Sequence, residues 1–156
     1  MKGPATNTFV DTASAEETRD LGRCLGEVVE AGDVIALEGD LGSGKTELVK
    51  GIAQALGVPS GVHSPTFVLH HRYQGRLPIE HYDLYRLEGM AWVDTGLDEP
   101  ALDAVTVIEW PERADILDDW ATIRILLIST AQTRRRLTLL RGPARIQTIF
   151  THAPGD

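Results

Sequence analysis

One stretch of the sequence, EGDLGSGKTELVK at residues 38–50, constrains the fold more than any other part. The run before it, DVIALEG, is apolar, contains β-branched residues and stops at glycine, which is the pattern of a buried strand. The run after it places apolar residues at helical spacing from Leu48 to Leu56, and Gly57 closes it. The sequence therefore predicts a strand, a glycine-rich loop and a helix in direct succession.

The loop fills the pattern G-x-x-x-x-G-K-[ST] with Gly39, Gly44, Lys45 and Thr46. Glycines allow backbone conformations in which successive N–H groups point inward, and the start of a helix adds the positive end of its dipole. The lysine can reach the β- and γ-phosphates of a nucleotide, and the threonine hydroxyl can ligate Mg²⁺. The loop is therefore predicted to bind nucleotide phosphates, and a merely structural glycine turn is the alternative.

The remaining pattern predicts an α/β fold. Ser14 and Glu17 form a capping box for a helix that ends near Gly32. The other predicted strands are TNTFV, TFVLHHRY, PIEHYDLYRL, AVTVIEW, TIRILLIST, RRLTLLRG and RIQTIFT. Because helices join the early strands and turns join the late ones, we expect a three-layer, P-loop NTPase-like fold with a mixed parallel and antiparallel sheet. No repeat or linker interrupts the chain, so residues 1–156 are predicted to form a single domain.

A phosphate-binding loop of this kind needs an acidic residue at the end of a neighbouring strand, to hold the metal ion or its water. The segment VTVIEW supplies Glu109 after four residues suited to a buried strand. P-loop proteins usually have aspartate at this position, so the longer glutamate would ligate Mg²⁺ directly or through water. The alternative is a strand-end acid that faces solvent.

The segment HYDLYR carries a second group of polar side chains. On a strand, His81, Asp83 and Tyr85 would face one side. Asp83 is a candidate for orienting the attacking water or a metal-bound water. His81 is as consistent with a structural role as with a functional one. The scattered histidines and the single cysteine show no recognised zinc-ligand spacing.

The segment HSPTF lies between the loop and HYDLYR, where P-loop proteins often carry a sensor of the γ-phosphate. Pro65 would hold Ser64 extended, so that Ser64 or Thr66 approaches the phosphate or Mg²⁺. An ordinary turn that enters a strand is equally consistent with the pattern.

Composition and charge favour a soluble protein that reaches nucleic acid only through partners. The formal net charge is −8, and binding to a phosphate backbone depends on lysine and arginine. No stretch approaches the ~20 apolar residues of a membrane span, and the N-terminus lacks a signal-peptide pattern. The one cysteine, Cys24, fits a reducing compartment. We therefore expect a cytoplasmic protein without a membrane partner.

The C-terminal region is locally basic. A solvated basic face is one interpretation of this cluster, and a patch that binds an anion, a partner or tRNA is the other. The cluster consists of Arg134, Arg135, Arg136, Arg141 and Arg145.

Taken together and in this order, GDLGSGKTELVKG, SPTF, HYDLYRLE and IEWPER resemble the TsaE family of bacterial P-loop ATPases over nearly the whole chain. That family takes part in making N6-threonylcarbamoyladenosine in tRNAs that read codons starting with A. The resemblance implies a Mg²⁺-dependent ATPase that binds ATP and ADP and turns over slowly. It also implies two protein partners, the catalytic subunit TsaD and the scaffold paralogue TsaB, with tRNA contacted only indirectly.

The resemblance also implies roles for individual residues. Lys45, Asp83 and Glu109 would be catalytic, with Asp83 near the γ-phosphate. Thr46 and Glu109 would hold Mg²⁺, and Trp110 would border the site. Thr12 would lie near the adenine. The loop positions that would bind the nucleotide are Leu41, Gly42, Ser43, Gly44, Lys45, Thr46 and Glu47.

Two loop residues depart from the family pattern. Ser43 stands where alanine is common, and Glu47 stands where a second threonine is common. A carboxylate at Glu47 suits the start of a helix, but it would repel phosphate if it turned inward, so nucleotide affinity below that of the family is one expectation.

Two other functions remain open from the sequence. One is a nucleotide-gated interaction module, in which ATP and ADP select the ordered partner surface and hydrolysis is incidental. The other is a small-molecule kinase, which is disfavoured because the sequence shows no obvious acceptor-binding insertion or arginine-rich lid.

Overall fold

The computed structural model describes residues 5–59, 70–85, 99–113 and 117–151. The strands in these ranges are β1 (Ala5–Thr12), β2 (Val34–Glu38), β3 (His70–Tyr73), β4 (Ile79–Asp83), β5 (Val105–Glu109), β6 (Ile123–Ser129) and β7 (Arg135–Arg141). The helices are α1 (Ala15–Val28), α2 (Lys45–Ala55), α3 (Leu117–Trp120) and α4 (Ala144–Thr151), with a 3₁₀ turn at Pro111–Arg113.

All these strands belong to one sheet, in the order β1-β7-β6-β2-β5-β4-β3. The central strands are parallel, because β2 pairs in parallel with both β5 and β6, and β4 pairs in parallel with β5. Both edges are antiparallel, with β3 against β4 on one side and β7 and β1 beyond β6 on the other. The predicted mixed sheet is therefore confirmed.

The sheet is covered on its two faces to different extents. One face packs against α1, α2 and α4, and their apolar side chains share a core with residues of β2, β5, β6 and β7. The other face carries a smaller cluster in which Trp110 and Trp120 pack against Tyr82, Leu84 and Ile108. This layering agrees with the predicted three-layer α/β fold.

The strand before the glycine-rich loop lies at the centre of the sheet. Residues Val34 to Leu37 of β2 are each at most 1% exposed, which explains the unbroken apolar run in the sequence. The carboxyl ends of β2, β4 and β5 meet at one edge of the sheet, because these strands run in the same direction. In open α/β sheets, this edge is where ligands bind.

Helices α1 and α2 cross at very close range, which the sequence did not indicate. A Cβ atom built on Gly51 of α2 would lie 2.0 Å from the carbonyl oxygen of Arg19 in α1. Gly22 of α1 is equally restricted, because its Cβ atom would lie 2.3 Å from the carbonyl oxygen of Leu48. The missing side chains let the two backbones touch, and this contact fixes α2 against α1.

One predicted strand is wrong. The segment RIQTIFT was expected to be a strand because it contains β-branched residues, but it lies in the helix α4. Ile146 and Phe150 are buried and Ile149 is partly buried, which is the i, i+3, i+4 spacing of a helix face packed on the core. Pro143 stabilises the start of this helix, because its carbonyl oxygen accepts the backbone N–H groups of Ile146 and Gln147.

Several element boundaries also differ from the prediction. Strand β4 ends at Asp83, so Tyr85 does not continue the strand face that begins at His81. Asp83 Oδ1 instead accepts the backbone N–H of Tyr85 at 3.0 Å, which turns the chain away from the sheet. Helix α1 ends at Val28, four residues before the expected Gly32. Residues 66–69 of the segment TFVLHHRY lie outside the described ranges.

Candidate functional site

The glycine-rich loop joins the end of β2 to the start of α2, as predicted. Gly44 is the residue that caps α2, and its backbone is left-handed with φ 105°. This conformation is strained for any residue with a Cβ atom, so glycine is required where the chain turns into the helix. The first N–H groups of a helix have no partners within the helix, so the start of α2 is suited to binding an anion.

Lys45 is folded into the loop rather than extended into solvent. Its Nζ atom donates a 2.6 Å hydrogen bond to the carbonyl oxygen of Gly39 and lies 3.9 Å from the ring centroid of Trp110. Only 5% of the residue is exposed. Burial lowers the pKa of Lys45, and the nearby carboxylates of Glu109 and Asp83 oppose that shift. The loop therefore holds a partly desolvated cation with two acidic side chains close by.

Asp83 and Glu109 end neighbouring strands at the same level. They are paired in the register of β4 and β5, and the backbone N–H of Leu84 donates to the carbonyl oxygen of Glu109 at 3.0 Å. Burial raises the pKa of Asp83, and the charge of Glu109 adds to the increase, against the Tyr85 N–H bond, which lowers it. The sheet thus brings together Lys45, Asp83 and Glu109, which the sequence placed far apart in the chain.

His81 is a member of this cluster that was left undecided from the sequence. The Nε2 atom of His81 lies 2.6 Å from Oε2 of Glu109, and both residues are buried. The pairing depends on the register of β4 against β5, in which His81 stands opposite Val107. Only the alternation of His81 with Asp83 in the sequence indicated that the two side chains share a face.

Trp110 follows Glu109 directly and has an unusual backbone. Its φ of 62° is the only positive value outside glycine in the described ranges. For a bulky residue this conformation costs roughly 1–2 kcal/mol and occurs most often at functional sites. The turn brings the indole beneath Lys45, and Tyr85 packs on it with ring centroids 5.0 Å apart. The Trp110 ring therefore lies against Lys45 of the loop.

Thr12 lies at the end of β1, beside the loop. Its hydroxyl group is buried and forms a 2.7 Å hydrogen bond with the hydroxyl group of Thr18 in α1. Thr18 is also close to the loop, since a Cβ atom built on Gly44 would lie 3.5 Å from its methyl carbon. Thr12 is thus connected to the loop through one neighbour.

Leu41, Ser43 and Thr46 occupy different environments within the loop. Leu41 is 69% exposed, so its side chain points outward and only its backbone is available to a ligand inside the loop. Ser43 is 2% exposed, and its hydroxyl oxygen has no hydrogen-bond partner among the described residues. Thr46 is half-buried in the first turn of α2.

Glu47 is held by side chains of the helices. Its Oε2 atom accepts a 3.0 Å hydrogen bond from Nε of Arg19 in α1, and its Oε1 atom lies 3.5 Å from Nζ of Lys50. Two cations therefore share the carboxylate that was expected to repel phosphate if it turned inward. No local pattern indicates the contact between Arg19 and Glu47, because it joins residues 28 positions apart.

The arginine cluster forms contacts within the chain. Arg136 binds both carboxylate oxygens of Asp11 at 2.8 and 3.0 Å, and Arg145 binds both oxygens of Asp33 at 2.8 and 2.9 Å. Arg135 donates to backbone carbonyl oxygens of the turn between β6 and β7. For these three arginines, the contacts favour the interpretation of a solvated basic face over that of a binding patch.

Some candidate residues cannot be placed. Ser64, Pro65 and Thr66 of the proposed γ-phosphate sensor lie outside the described ranges, as does the last residue of HYDLYR. Within those ranges, no three His, Cys, Asp or Glu side chains are grouped as ligands of a metal ion. Across the same residues, no helix has the length and apolar character needed to cross a membrane.

Sequence comparison relates the chain to one family. The family model described as threonylcarbamoyl adenosine biosynthesis protein TsaE matches residues 12–137. Proteins named tRNA threonylcarbamoyladenosine biosynthesis protein TsaE are similar to the chain. The protein from Treponema pallidum is 40% identical over 129 residues, which cover 81% of this chain and 95% of the relative. The protein from Nostoc sp. is 43% identical over 112 residues, which cover 68% of this chain and 69% of the relative.

Structural comparison agrees with the sequence comparison. The crystal structure of YdiB from Bacillus subtilis superposes on this chain with a TM-score of 0.72 and 27% sequence identity. The superposition covers 94% of this chain and 93% of that protein. The arrangement of strands and helices described above is therefore also found in a solved structure.

Proposed function

This chain belongs to the TsaE family, and from that premise we propose that it binds ATP with Mg²⁺, hydrolyses it slowly and supports threonylcarbamoyladenosine modification of tRNA. The observation that carries the proposal is the convergence of Lys45, Asp83 and Glu109 at the carboxyl edge of the sheet. A cation inside a glycine-rich loop, with two carboxylates next to it, supports phosphoryl transfer better than it supports a structural turn.

The residues present fit a Mg²⁺–nucleotide complex. A left-handed glycine at the start of α2 suits phosphate oxygens, because the first N–H groups of a helix have no partners within it and lie at the positive end of its dipole. Thr46 offers a hydroxyl in the first turn of α2, and Glu109 offers a carboxylate on the adjacent strand. Mg²⁺ usually takes one or two protein ligands together with phosphate oxygens and water, so a larger protein cluster is not needed.

The proposed roles follow from chemistry. Lys45 would leave the Gly39 carbonyl oxygen to bind the β- and γ-phosphates, while Thr46 and Glu109 would hold Mg²⁺. When bound, Mg²⁺ neutralises charge that develops on the phosphates. Asp83 would accept a hydrogen bond from the attacking water and orient it. A carboxylate with a raised pKa is a better proton acceptor than an ordinary one, although catalysis here would come mainly from positioning and charge.

The proposed partners are TsaD and TsaB, with tRNA reached through them. The net charge of −8 and the internal pairing of Arg136 and Arg145 support this arrangement, because an acidic chain repels a phosphate backbone and paired arginines are less available to it. We propose a cytoplasmic site of action, where tRNA is modified. The threonylcarbamoyl transfer itself would belong to the partner complex.

The test is phosphate release from ATP and Mg²⁺ by the purified protein, alone and after addition of TsaB and TsaD. Slow release that the partners stimulate would support the proposal. Tight nucleotide binding without release in either condition would contradict the ATPase function and favour a nucleotide-gated interaction module. Transfer of phosphate to a metabolite would instead favour a kinase.

A pair of variants shows whether hydrolysis matters. Glu109→Ala should retain nucleotide binding at high Mg²⁺ but lose release and tRNA modification by the reconstituted complex. Glu27→Ala is the matched control, because Glu27 is an exposed acid of α1 and its loss removes the same charge. Normal tRNA modification by a Glu109→Ala protein that binds ATP without hydrolysing it would show that hydrolysis is incidental.

A further inference from the structure

His81 is a buried polar side chain that is only partly hydrogen-bonded among the described residues. None of the residue is exposed. Its Nε2 atom bonds to Glu109, whereas its Nδ1 atom has no hydrogen-bond partner among the described residues. Burying a polar group that is only half satisfied costs free energy, and an aliphatic residue at this position of β4 would avoid that cost.

The side chains around His81 are mostly apolar. Ile79, two residues earlier on the same face of β4, is fully buried, and so is Val107, which stands opposite His81 on β5. The ring of Tyr73 packs beside the imidazole with centroids 6.1 Å apart. A further apolar side chain would therefore fit these neighbours, and the one specific contact that histidine adds is the bond to Glu109.

The bond to His81 limits the directions in which the Glu109 carboxylate can point. Glutamate has three rotatable side-chain bonds, so a carboxylate at the end of β5 is not aimed by the backbone alone. The register of β4 on β5 and the bond from Leu84 N–H to the Glu109 carbonyl oxygen fix the main chain. The His81 contact then fixes the carboxylate itself. A carboxylate that binds a metal ion is ionised and only accepts hydrogen bonds, so Nε2 of His81 would be the donor to a Glu109 in that role.

We propose that His81 is a positioning residue for the metal ion: it holds Oε2 of Glu109, so that Oε1 is the oxygen left for Mg²⁺. This role rests on the proposed function of Glu109 as a Mg²⁺ ligand. It also explains why a glutamate, which is longer than the usual aspartate, can act at this strand end. Its extra methylene group adds a rotatable bond, and the bond to His81 restricts that rotation. Outer partners of ligating groups typically contribute about 10- to 100-fold to metal affinity.

The test compares His81→Gln with His81→Asn in the full-length protein. The amide nitrogen of glutamine reaches about as far as Nε2 of histidine, whereas that of asparagine stops near Nδ1, so the two variants carry the same group with different reach. Each protein is titrated with Mg²⁺ at a fixed concentration of fluorescent ADP, and with fluorescent ADP in EDTA. Thermal melts confirm folding, and His81→Leu, which also lacks the donor, replaces His81→Asn if that variant is unfolded.

We expect His81→Asn to need about 10- to 100-fold more Mg²⁺ than the wild type for half-maximal nucleotide binding. His81→Gln should recover most of that loss, and affinity for ADP in EDTA should stay the same in all three proteins. An unchanged Mg²⁺ requirement in His81→Asn would overturn the proposal, as would equal losses with and without Mg²⁺. A wild-type protein that binds ADP without any response to Mg²⁺ would instead remove the metal role of Glu109, and His81 with it.

Discussion

Ser43 is a buried residue whose polar group is unused. Its hydroxyl oxygen has no partner in the described part of the chain, and a buried unsatisfied group costs about 1–3 kcal/mol. We therefore expect Ser43→Ala to raise the free energy of unfolding by about 1 kcal/mol and to leave nucleotide affinity unchanged. Urea denaturation measures the first quantity and calorimetry the second.

Ser129→Ala is the matched control for this substitution. Ser129 is exposed, and its hydroxyl group donates a 3.2 Å hydrogen bond to the carbonyl oxygen of Ala131. Its loss should leave stability the same or slightly lower. A Ser43→Ala protein that is less stable than the wild type would mean that the Ser43 hydroxyl group has a partner in solution.

Asp83 should make stability depend on pH in a predictable direction. Burial raises its pKa above the ordinary value of 3.8, so the folded protein holds the proton more tightly than the unfolded chain. Its contribution therefore favours folding at low pH and is lost as pH rises from about 3.8 through the folded-state pKa. The free energy of unfolding of Asp83→Asn should equal that of the wild type below about pH 3.8 and exceed it at pH 7.

Denaturation of both proteins across this pH range, without nucleotide, provides the measurement. The difference in unfolding free energy between Asp83→Asn and the wild type should grow with pH and then level off. A difference that shrinks as pH rises would show that the Asp83 pKa is lowered, and it would mean that the carboxylate is stabilised by its neighbours instead of penalised by burial.

At the scale of elements, the contact between α1 and α2 should be intolerant of a single methyl group. The Cβ atom of alanine at position 51 would lie 2.0 Å from the Arg19 carbonyl oxygen, so the helices must separate. We expect Gly51→Ala to lower the free energy of unfolding by about 1–3 kcal/mol. Helix propensity alone predicts the opposite sign, a gain of about 1 kcal/mol.

Glu27→Ala in α1 is the control, because Glu27 is exposed and such substitutions usually change stability by less than about 0.5 kcal/mol. Thermal denaturation of both variants distinguishes the two expectations. A stabilised Gly51→Ala protein would show that the helices are farther apart than the structure has them.

Patterns within a few residues predicted correctly those elements whose structure depends on neighbouring residues in the chain. The helix cap at Ser14, the buried run of β2 and the glycine-rich loop each leave a signal within a few residues, and each forms. The return bond of the predicted capping box differs, because Oε2 of Glu17 accepts the backbone N–H of Ala13, one residue before Ser14. The segment of α4 gave the wrong signal, since its isoleucines fit a strand by propensity and a helix by spacing. Only packing against the core decides between these structures.

Contacts between residues far apart in the chain could not be predicted from the sequence. The pairing of His81 with Glu109 depends on which strands are neighbours and on their register, and neither is written in a local pattern. The same holds for Arg19 with Glu47 and for the glycine contact between the helices. The candidate site could thus be predicted as a set of residue types at strand ends, but the bonds that orient them could not.

At the scale of the whole molecule, charge should keep the isolated protein from binding tRNA. The net charge is −8, and two arginines of the basic cluster are paired with Asp11 and Asp33. We expect a dissociation constant for tRNA weaker than about 100 µM at physiological salt. A filter-binding assay with the protein alone measures it. Micromolar binding that weakens steeply with salt would show that the basic cluster is a tRNA surface.

The central claim is that the glycine-rich loop binds the phosphates of a nucleotide, and calorimetric titration of ATP with Mg²⁺ tests it most directly. Lys45→Ala should fold normally and lose at least about 10-fold in affinity, because a charged hydrogen bond is worth about 1.5–3 kcal/mol. Lys50→Ala, which removes a partly exposed lysine from the same helix, should bind like the wild type. ATP binding of wild-type strength by Lys45→Ala would contradict the claim.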